Sequence, residues 1–144
     1  MKPGFLPSRL VRAFPSDAYV NVDTFNGNLV FMSINIMKMA GFGNFSHGYG
    51  DIDFGLRAKR MGINPVLVPG LIAVCAPNNH PEPWLNLSQS KVERLKALFS
   101  VKGLPWRDHF RFYKSNLGFI GYPAALISLI IKVGNILVSE QKHD

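Results

Sequence analysis

The feature that most restricts the fold of this chain is its C-terminal run Leu117–Val138, which is apolar apart from Lys132 and scattered Gly, Ser, Asn and Pro. At 22 residues it is long enough to cross a bilayer as a helix, which takes about 20 apolar residues. Lys132 would be costly at the bilayer centre, and Pro123 is expected to kink the helix. We therefore expect a helix that lies in, or dips into, a membrane interface. Burial in a subunit contact is the alternative.

The segment before this run is basic and aromatic. Lys91–Lys114 carries seven basic residues against two acidic ones, which supplies +5 of the formal net charge of +7. Within it, Trp106–Asn116 interleaves aromatic and basic residues, which favours a helix on an anionic membrane surface. An ordinary amphipathic helix is a second interpretation. Nucleic-acid binding is a third, but no nucleic-acid motif accompanies the charge, so we expect an anionic membrane and no nucleic acid as partner.

Composition favours a folded protein of a reducing compartment. The chain has 144 residues and is 47% hydrophobic, enough for about one domain with a real core. Its single cysteine, Cys75, excludes an internal disulfide and a Cys-rich zinc site. No apolar segment follows the charged N-terminus, so no signal peptide is expected.

Periodicity and cap residues predict a mixed α/β fold. In chain order, the predicted strands are 19–24, 29–32, 63–69 and 71–76, and the predicted helices are 34–40, 51–61, 91–99 and 106–116. Ser33 and Gly41 are the expected caps of the first helix, and Ser90 with Glu93 forms a capping box for the third. No βαβ unit precedes the first strand, so this is the element order of the second half of a larger domain.

The residues best suited to chemistry lie where a glycine-rich bend enters a predicted helix. Asp51 and Asp53 stand on either side of one apolar residue, after Gly48 and Gly50. A helix N-terminus attracts negative charge, and a carboxylate there can serve as a base if it reaches a substrate proton. The alternative is that Asp51 or Asp53 only caps the helix. Asp53 is the more structural of the two, because Arg57 lies four residues on and can pair with it.

Three parts of the sequence together resemble a known family. Phe25–Phe31, then Ala40–Gly43, then Gly50–Arg57 followed by Gly62 look like the C-terminal half of a GT-A fold glycosyltransferase of family 2, of the bacterial, rhamnosyltransferase-like type. The resemblance implies a partial GT-A fold: a mixed sheet with flanking helices and a C-terminal apolar or amphipathic helical tail. Residues 1–114 would be the acceptor-side part, without the N-terminal nucleotide-binding half, and residues 115–144 the membrane-associating tail.

The activity that this resemblance implies is inverting transfer of a sugar from a nucleotide-sugar to a hydroxyl of a glycan or lipid-linked acceptor. Asp51 stands at the position of the general base, and Asp53 would orient the acceptor or brace the loop. The implied substrate-binding residues are Asn26, Gly27, His47, Gly50, Asp53 and Arg57. From the residues alone, Asn26-Gly27 also fits a plain hairpin turn and His47 a solvated loop position. Phe42 is expected in the core.

The resemblance also implies a divalent metal, Mg or Mn, for the full enzyme. Its ligands would lie mostly outside this chain, since Asp51-Ile52-Asp53 has the spelling of the family's metal motif in the wrong context. Cys75 occupies the place of a late histidine that helps to hold the metal in the family, and His80 lies five residues on. We assign no metal ligand here. The expected location is cytoplasmic, at the inner face of the cell membrane. The alternatives are an inactive membrane-docking or interaction fragment and a basic nucleic-acid binder.

Overall fold

The computed structural model describes residues 11–46, 48–74 and 82–139. These residues form a mixed α/β structure in which helices predominate, as the broad fold class predicted. The elements in chain order are β1 (Val20–Asn21), α1 (Ile34–Ala40), α2 (Gly50–Arg60), β2 (Val66–Leu67), a 3-10 turn (Pro83–Leu85), α3 (Lys91–Leu98), α4 (Trp106–Leu117), a 3-10 turn (Gly118–Ile120) and α5 (Gly121–Val138).

The chain divides into two compact units. The N-terminal unit consists of Met1–Asn44 and Gly50–Ala76, and the helical unit consists of Phe45–Tyr49 and Pro77–Asp144. In this division α4 groups with α5, while the expected parts 1–114 and 115–144 stay a prediction.

In the N-terminal unit, local cap signals determine where the helices end. Ser33 accepts a hydrogen bond from the backbone N–H of Ile36, and Gly41 follows α1 with φ of 61°, so both predicted caps of this helix are confirmed. Gly62, with φ of 82°, lies just after α2, as predicted. Ala40 packs in a small core with Phe54.

The start of α2 differs from the prediction. The helix begins at Gly50, so Asp51 and Asp53 lie inside its first turn, and the prediction that one of them is the N-cap is wrong. Instead, the Asp51 carboxylate accepts a hydrogen bond from the backbone N–H of Gly27, 24 residues earlier in the chain. A tertiary contact has taken the place of the local cap.

The predicted strands are mostly absent from the described residues. β1 and β2 form one antiparallel pair of two residues each, with Val20 opposite Leu67. Residues 29–32 and 71–74 form no strand; Phe31 is 87% exposed and Val74 is 82% exposed. The remainder of the 71–76 prediction lies outside the described residues. Apolar composition alone does not predict these strands correctly, because a strand also needs a neighbouring backbone to accept and donate its hydrogen bonds.

The helical unit is built around the packing of α5 against α3 and α4. The predicted capping box is present: the Ser90 side chain accepts from the backbone N–H of Glu93, whose carboxylate accepts from the backbone N–H of Ser90. The buried core of this unit consists of Leu98, Leu104 and Ile136.

Pro123 lies in the first turn of α5, directly after the 3-10 turn Gly118–Ile120 that interrupts the predicted apolar run. It is the third residue of α5, where the backbone N–H of an α-helix has no intrahelical partner, so proline removes no hydrogen bond. Within the helical stretch Trp106–Val138, one window of 18 residues is long and apolar enough to cross a membrane by length and composition, which is weak evidence taken alone.

Candidate functional site

The candidate site in the N-terminal unit is centred on Asp51. Its Oδ2 accepts a hydrogen bond from the Gly27 backbone N–H at 3.0 Å, and the side chain is exposed. Oδ1 has no hydrogen-bond partner within the described part of the chain. A carboxylate in the first turn of a helix also interacts favourably with the partial positive charge of the helix N-terminus. Asp51 is therefore oriented by one bond and retains an oxygen that can accept another.

A hollow of about 340 Å³ lies in front of this carboxylate. Phe25, Met32 and Phe42 contribute an apolar wall, and Gly27 and Asp51 contribute polar groups. Polar and apolar atoms line this hollow in about equal measure, and it is partly open to solvent, so it can hold part of a small ligand. The arrangement suits a ligand that has an apolar face and a hydroxyl group.

Gly27 is required for the approach of its backbone to Asp51. A Cβ added at Gly27 would lie 2.6 Å from Oδ2 of Asp51, closer than carbon and oxygen atoms can stand without displacement. The absence of a side chain therefore permits the hydrogen bond that orients the carboxylate. The Asn26-Gly27 turn thus has a specific structural reason for its glycine.

The other acid, Asp53, has a different environment. It is 2% exposed, and its Oδ2 accepts from Arg57 Nε at 2.6 Å, which confirms the predicted pairing at i and i+4. Arg57 also donates to the carbonyl oxygens of Ala40 and, at 2.9 Å, of Gly41. These contacts join α2 to the end of α1, so the geometry favours the bracing role that was one of the two expected of Asp53.

The structure thus brings together some of the predicted site residues and separates others. Gly27, Gly50 and Asp51 line the hollow. Asn26 precedes it in an exposed turn, and His47 lies outside the described residues. Arg57 belongs to the bracing group with Asp53.

Phe42 is the site residue that sequence reasoning missed. It is 72% exposed, so its predicted place in the core is wrong. Its ring instead stacks on Phe54, with centroids 5.5 Å apart, and lines the hollow. The available signal was its position between Gly41 and Gly43, directly after a helix, where a large side chain has few neighbours to cover it.

A second polar cluster lies in the helical unit, around His109. Its Nε2 lies 3.0 Å from the carbonyl oxygen of Ala125, which can only accept, so Nε2 carries the proton and Nδ1 is the acceptor. The hydroxyl of Tyr49 therefore donates to Nδ1, at 2.7 Å. Burial is the main cause that lowers the pKa of His109 and raises the pKa of Tyr49. Both groups are held neutral.

Asp108, the neighbour of His109, is saturated with hydrogen bonds as well. Its Oδ2 accepts from the backbone N–H of Ser46 at 2.7 Å and from the Ser46 hydroxyl at 2.5 Å. Its Oδ1 accepts from Arg111 at 2.9 Å. The cluster holds Ser46 and Tyr49 against α4 and has the character of a structural network.

No group of three or more His, Cys, Asp or Glu within the described ranges could hold a metal ion. The divalent metal expected for the full enzyme was assigned ligands mostly outside this chain, so that expectation stays a prediction. In comparisons with known proteins, the chain matches no protein family, no curated protein and no solved structure.

Proposed function

We propose that this chain is the acceptor-side half of an inverting GT-A glycosyltransferase of the family 2 type, with Asp51 as general base. The observation that carries the proposal is the position of Asp51: an exposed carboxylate at a helix N-terminus, on the edge of a hollow of about 340 Å³, with one oxygen unpartnered among the described residues.

In the proposed reaction, the acceptor is a glycan or a glycolipid that places a sugar in this hollow. Its hydroxyl lies within hydrogen-bond reach of Asp51, about 2.6–3.2 Å between heavy atoms. Asp51 takes the hydroxyl proton while the oxygen attacks the anomeric carbon of the donor, and the nucleoside diphosphate leaves from the opposite face. The rings of Phe25 and Phe42 provide an apolar wall against which the C–H face of a sugar can pack.

The donor nucleotide-sugar and its divalent metal, Mg or Mn, would be held mostly by a nucleotide-binding half outside these residues. The metal would neutralise the charge of the departing diphosphate, and no residue of this chain is assigned to it. The proposed location is the cytoplasmic face of the cell membrane, in keeping with the apolar helix α5.

The test is Asp51→Asn in a version of the protein joined to a nucleotide-binding half, assayed with a panel of nucleotide-sugars. General base catalysis contributes about 10²- to 10⁴-fold, and we expect turnover to fall by that factor. Asp17→Asn removes an equally exposed carboxylate of the same unit and should leave turnover unchanged. A decrease of less than about tenfold for Asp51→Asn contradicts the assigned role.

A second candidate function is a membrane-docking module without transfer activity of its own. The exposed apolar side chains of α5 favour it. The protein joined to a nucleotide-binding half separates the two candidates. Sugar transfer that depends on Asp51 contradicts the docking module, and absence of transfer from every nucleotide-sugar of the panel contradicts the acceptor-side half.

A further inference from the structure

Helices α4 and α5 form an antiparallel hairpin. Gly121, the first residue of α5, lies so close to α4 that an added Cβ would be 2.3 Å from the carbonyl oxygen of Tyr113. Four residues further along α5 and four residues back along α4, Ala125 accepts the hydrogen bond from His109. The stretch Trp106–Val138 is therefore folded back on itself. Its longer arm has 18 residues, about 27 Å of helix.

One face of α5 is apolar and exposed. Leu126, Ile127, Ile130 and Ile131 are each between 49% and 59% exposed. Their positions at i, i+1, i+4 and i+5 place them on one side of the helix, whereas Ala125 is fully buried against the unit. The exposed face continues to Phe119 (90% exposed) in the preceding turn and Val138 (83% exposed) at the helix end. A contiguous apolar face of this kind marks a surface that meets something apolar.

The exposed face of α4 is basic. Arg107, Arg111 and Lys114 recur at i, i+4 and i+7 on one side of the helix and are exposed, while Phe112 and Tyr113 are buried on the other side. Arg111 also pairs with Asp108.

The basic stripe adjoins the start of the apolar face. Lys114 Nζ lies 5.6 Å from the ring centre of Tyr122, which is itself 42% exposed in the first turn of α5. Lys132, the charge that interrupts the apolar run, is accounted for inside the unit: its Nζ lies 5.2 Å from the ring centre of Trp84. Lys132, whose charge counts most strongly against membrane contact, therefore has a partner within the protein.

We propose that the α4–α5 hairpin docks lengthwise on a bilayer that contains anionic lipid. The exposed face of α5 enters the boundary between headgroups and acyl chains, and Arg107, Arg111 and Lys114 contact the phosphate-bearing headgroups. Charge selects this occupant over a second copy of the chain, because two copies of a hairpin with net charge of +3 (Arg107, Arg111, Lys114 and Lys132 against Asp108) repel, whereas an anionic surface attracts them. The surface stands whether or not Asp51 is a catalytic base.

The experiment is sedimentation of the 144-residue chain with vesicles of phosphatidylcholine, with and without phosphatidylglycerol. We expect binding to the anionic vesicles to be at least about tenfold tighter, because each basic residue near such a surface adds to the attraction. The variant Arg107→Gln with Arg111→Gln and Lys114→Gln should lose most of this preference. Ile127→Ser with Ile131→Ser should weaken binding to both kinds of vesicle.

A matched control separates the stripe from net charge. The variant Arg12→Gln with Lys38→Gln and Arg60→Gln removes the same charge from exposed positions of the N-terminal unit, and it should bind as the unaltered chain does. Equal binding to neutral and anionic vesicles, or an equal loss in the control, overturns the proposal. So does sedimentation as a dimer without vesicle binding, which assigns the apolar face to a subunit contact. The basic-stripe variants alter exposed positions only, so they decide the matter even if Ile127→Ser with Ile131→Ser fails to fold.

Discussion

The hollow beside Asp51 and the cluster around His109 both place an ionisable group among aromatic rings, but they satisfy it to different degrees. His109 is 1% exposed, and both of its ring nitrogens have partners. Asp51 is exposed and is held by one hydrogen bond, with a hollow in front of it. A buried group must be fully paired to be tolerated, so full pairing indicates structure. A carboxylate with an unused acceptor beside a cavity is the one that can meet a substrate.

Asp51 and Asp53, within one turn of α2, show the same contrast between an available acid and a paired one. Substitution of Asp53 is expected to give the largest loss of stability. Asp53→Ala leaves Arg57 without the carboxylate that it contacts at 2.6 Å, and we expect a loss of about 3 kcal/mol of unfolding free energy. Asp51→Ala removes one exposed hydrogen bond and should cost about 1 kcal/mol or less. Urea denaturation followed by circular dichroism measures both. Equal losses would remove the distinction between a structural and an available acid.

The features that the sequence predicted correctly are contacts between residues that are close together in the chain. The caps of α1, the capping box of α3 and the Asp53–Arg57 pair all join residues separated by no more than four positions, and all were predicted correctly. The i and i+4 spacing of a helix sets such contacts wherever the helix forms.

What the sequence could not predict depends on contacts between distant residues. The bond from Gly27 to Asp51 spans 24 positions, and the bond from Tyr49 to His109 spans 60. No local pattern reports such pairs. The exposure of Phe42 and the absence of a strand at 29–32 have the same origin, since hydrophobicity indicates that a residue can be buried and not that a partner is present to bury it.

Gly121 in the helical unit and Gly27 in the N-terminal unit differ in what an added Cβ would meet. At Gly121 an added Cβ meets the backbone of α4, 2.3 Å from the carbonyl oxygen of Tyr113, and backbone cannot rotate aside. Gly121→Ala should therefore cost about 1–3 kcal/mol of stability, as overpacking does. At Gly27 the added Cβ meets only the Asp51 carboxylate, which can turn away. Thermal unfolding should show little change for Gly27→Ala, while any transfer activity of the joined enzyme falls.

The His109 cluster predicts that the helical unit loses stability in mild acid. Burial lowers the pKa of His109 in the folded state below its ordinary value, which is about 6.5 in the unfolded chain. The unfolded state therefore binds the proton first, and the stabilisation is complete above that pH and declines as the pH falls through it. Unfolding free energies measured on either side of this pH test the sign. His109→Asn should flatten the dependence, and an unaltered slope would show that another group is responsible.

The N-cap of α3 provides a reference for the stability cost at Asp51. Ser90→Ala removes the side-chain acceptor for the Glu93 backbone N–H, an exposed bond of 3.3 Å, and should cost about 1 kcal/mol as N-cap removal typically does. The bond from Gly27 N–H to Asp51 is of the same kind, a side-chain oxygen that accepts from an exposed backbone donor. If Asp51 is available for chemistry, Asp51→Ala should cost no more than Ser90→Ala when both are measured by urea denaturation under the same conditions. A cost several times larger would mean that the fold depends on the Asp51 carboxylate. That result would favour a structural role for Asp51 over a role as general base.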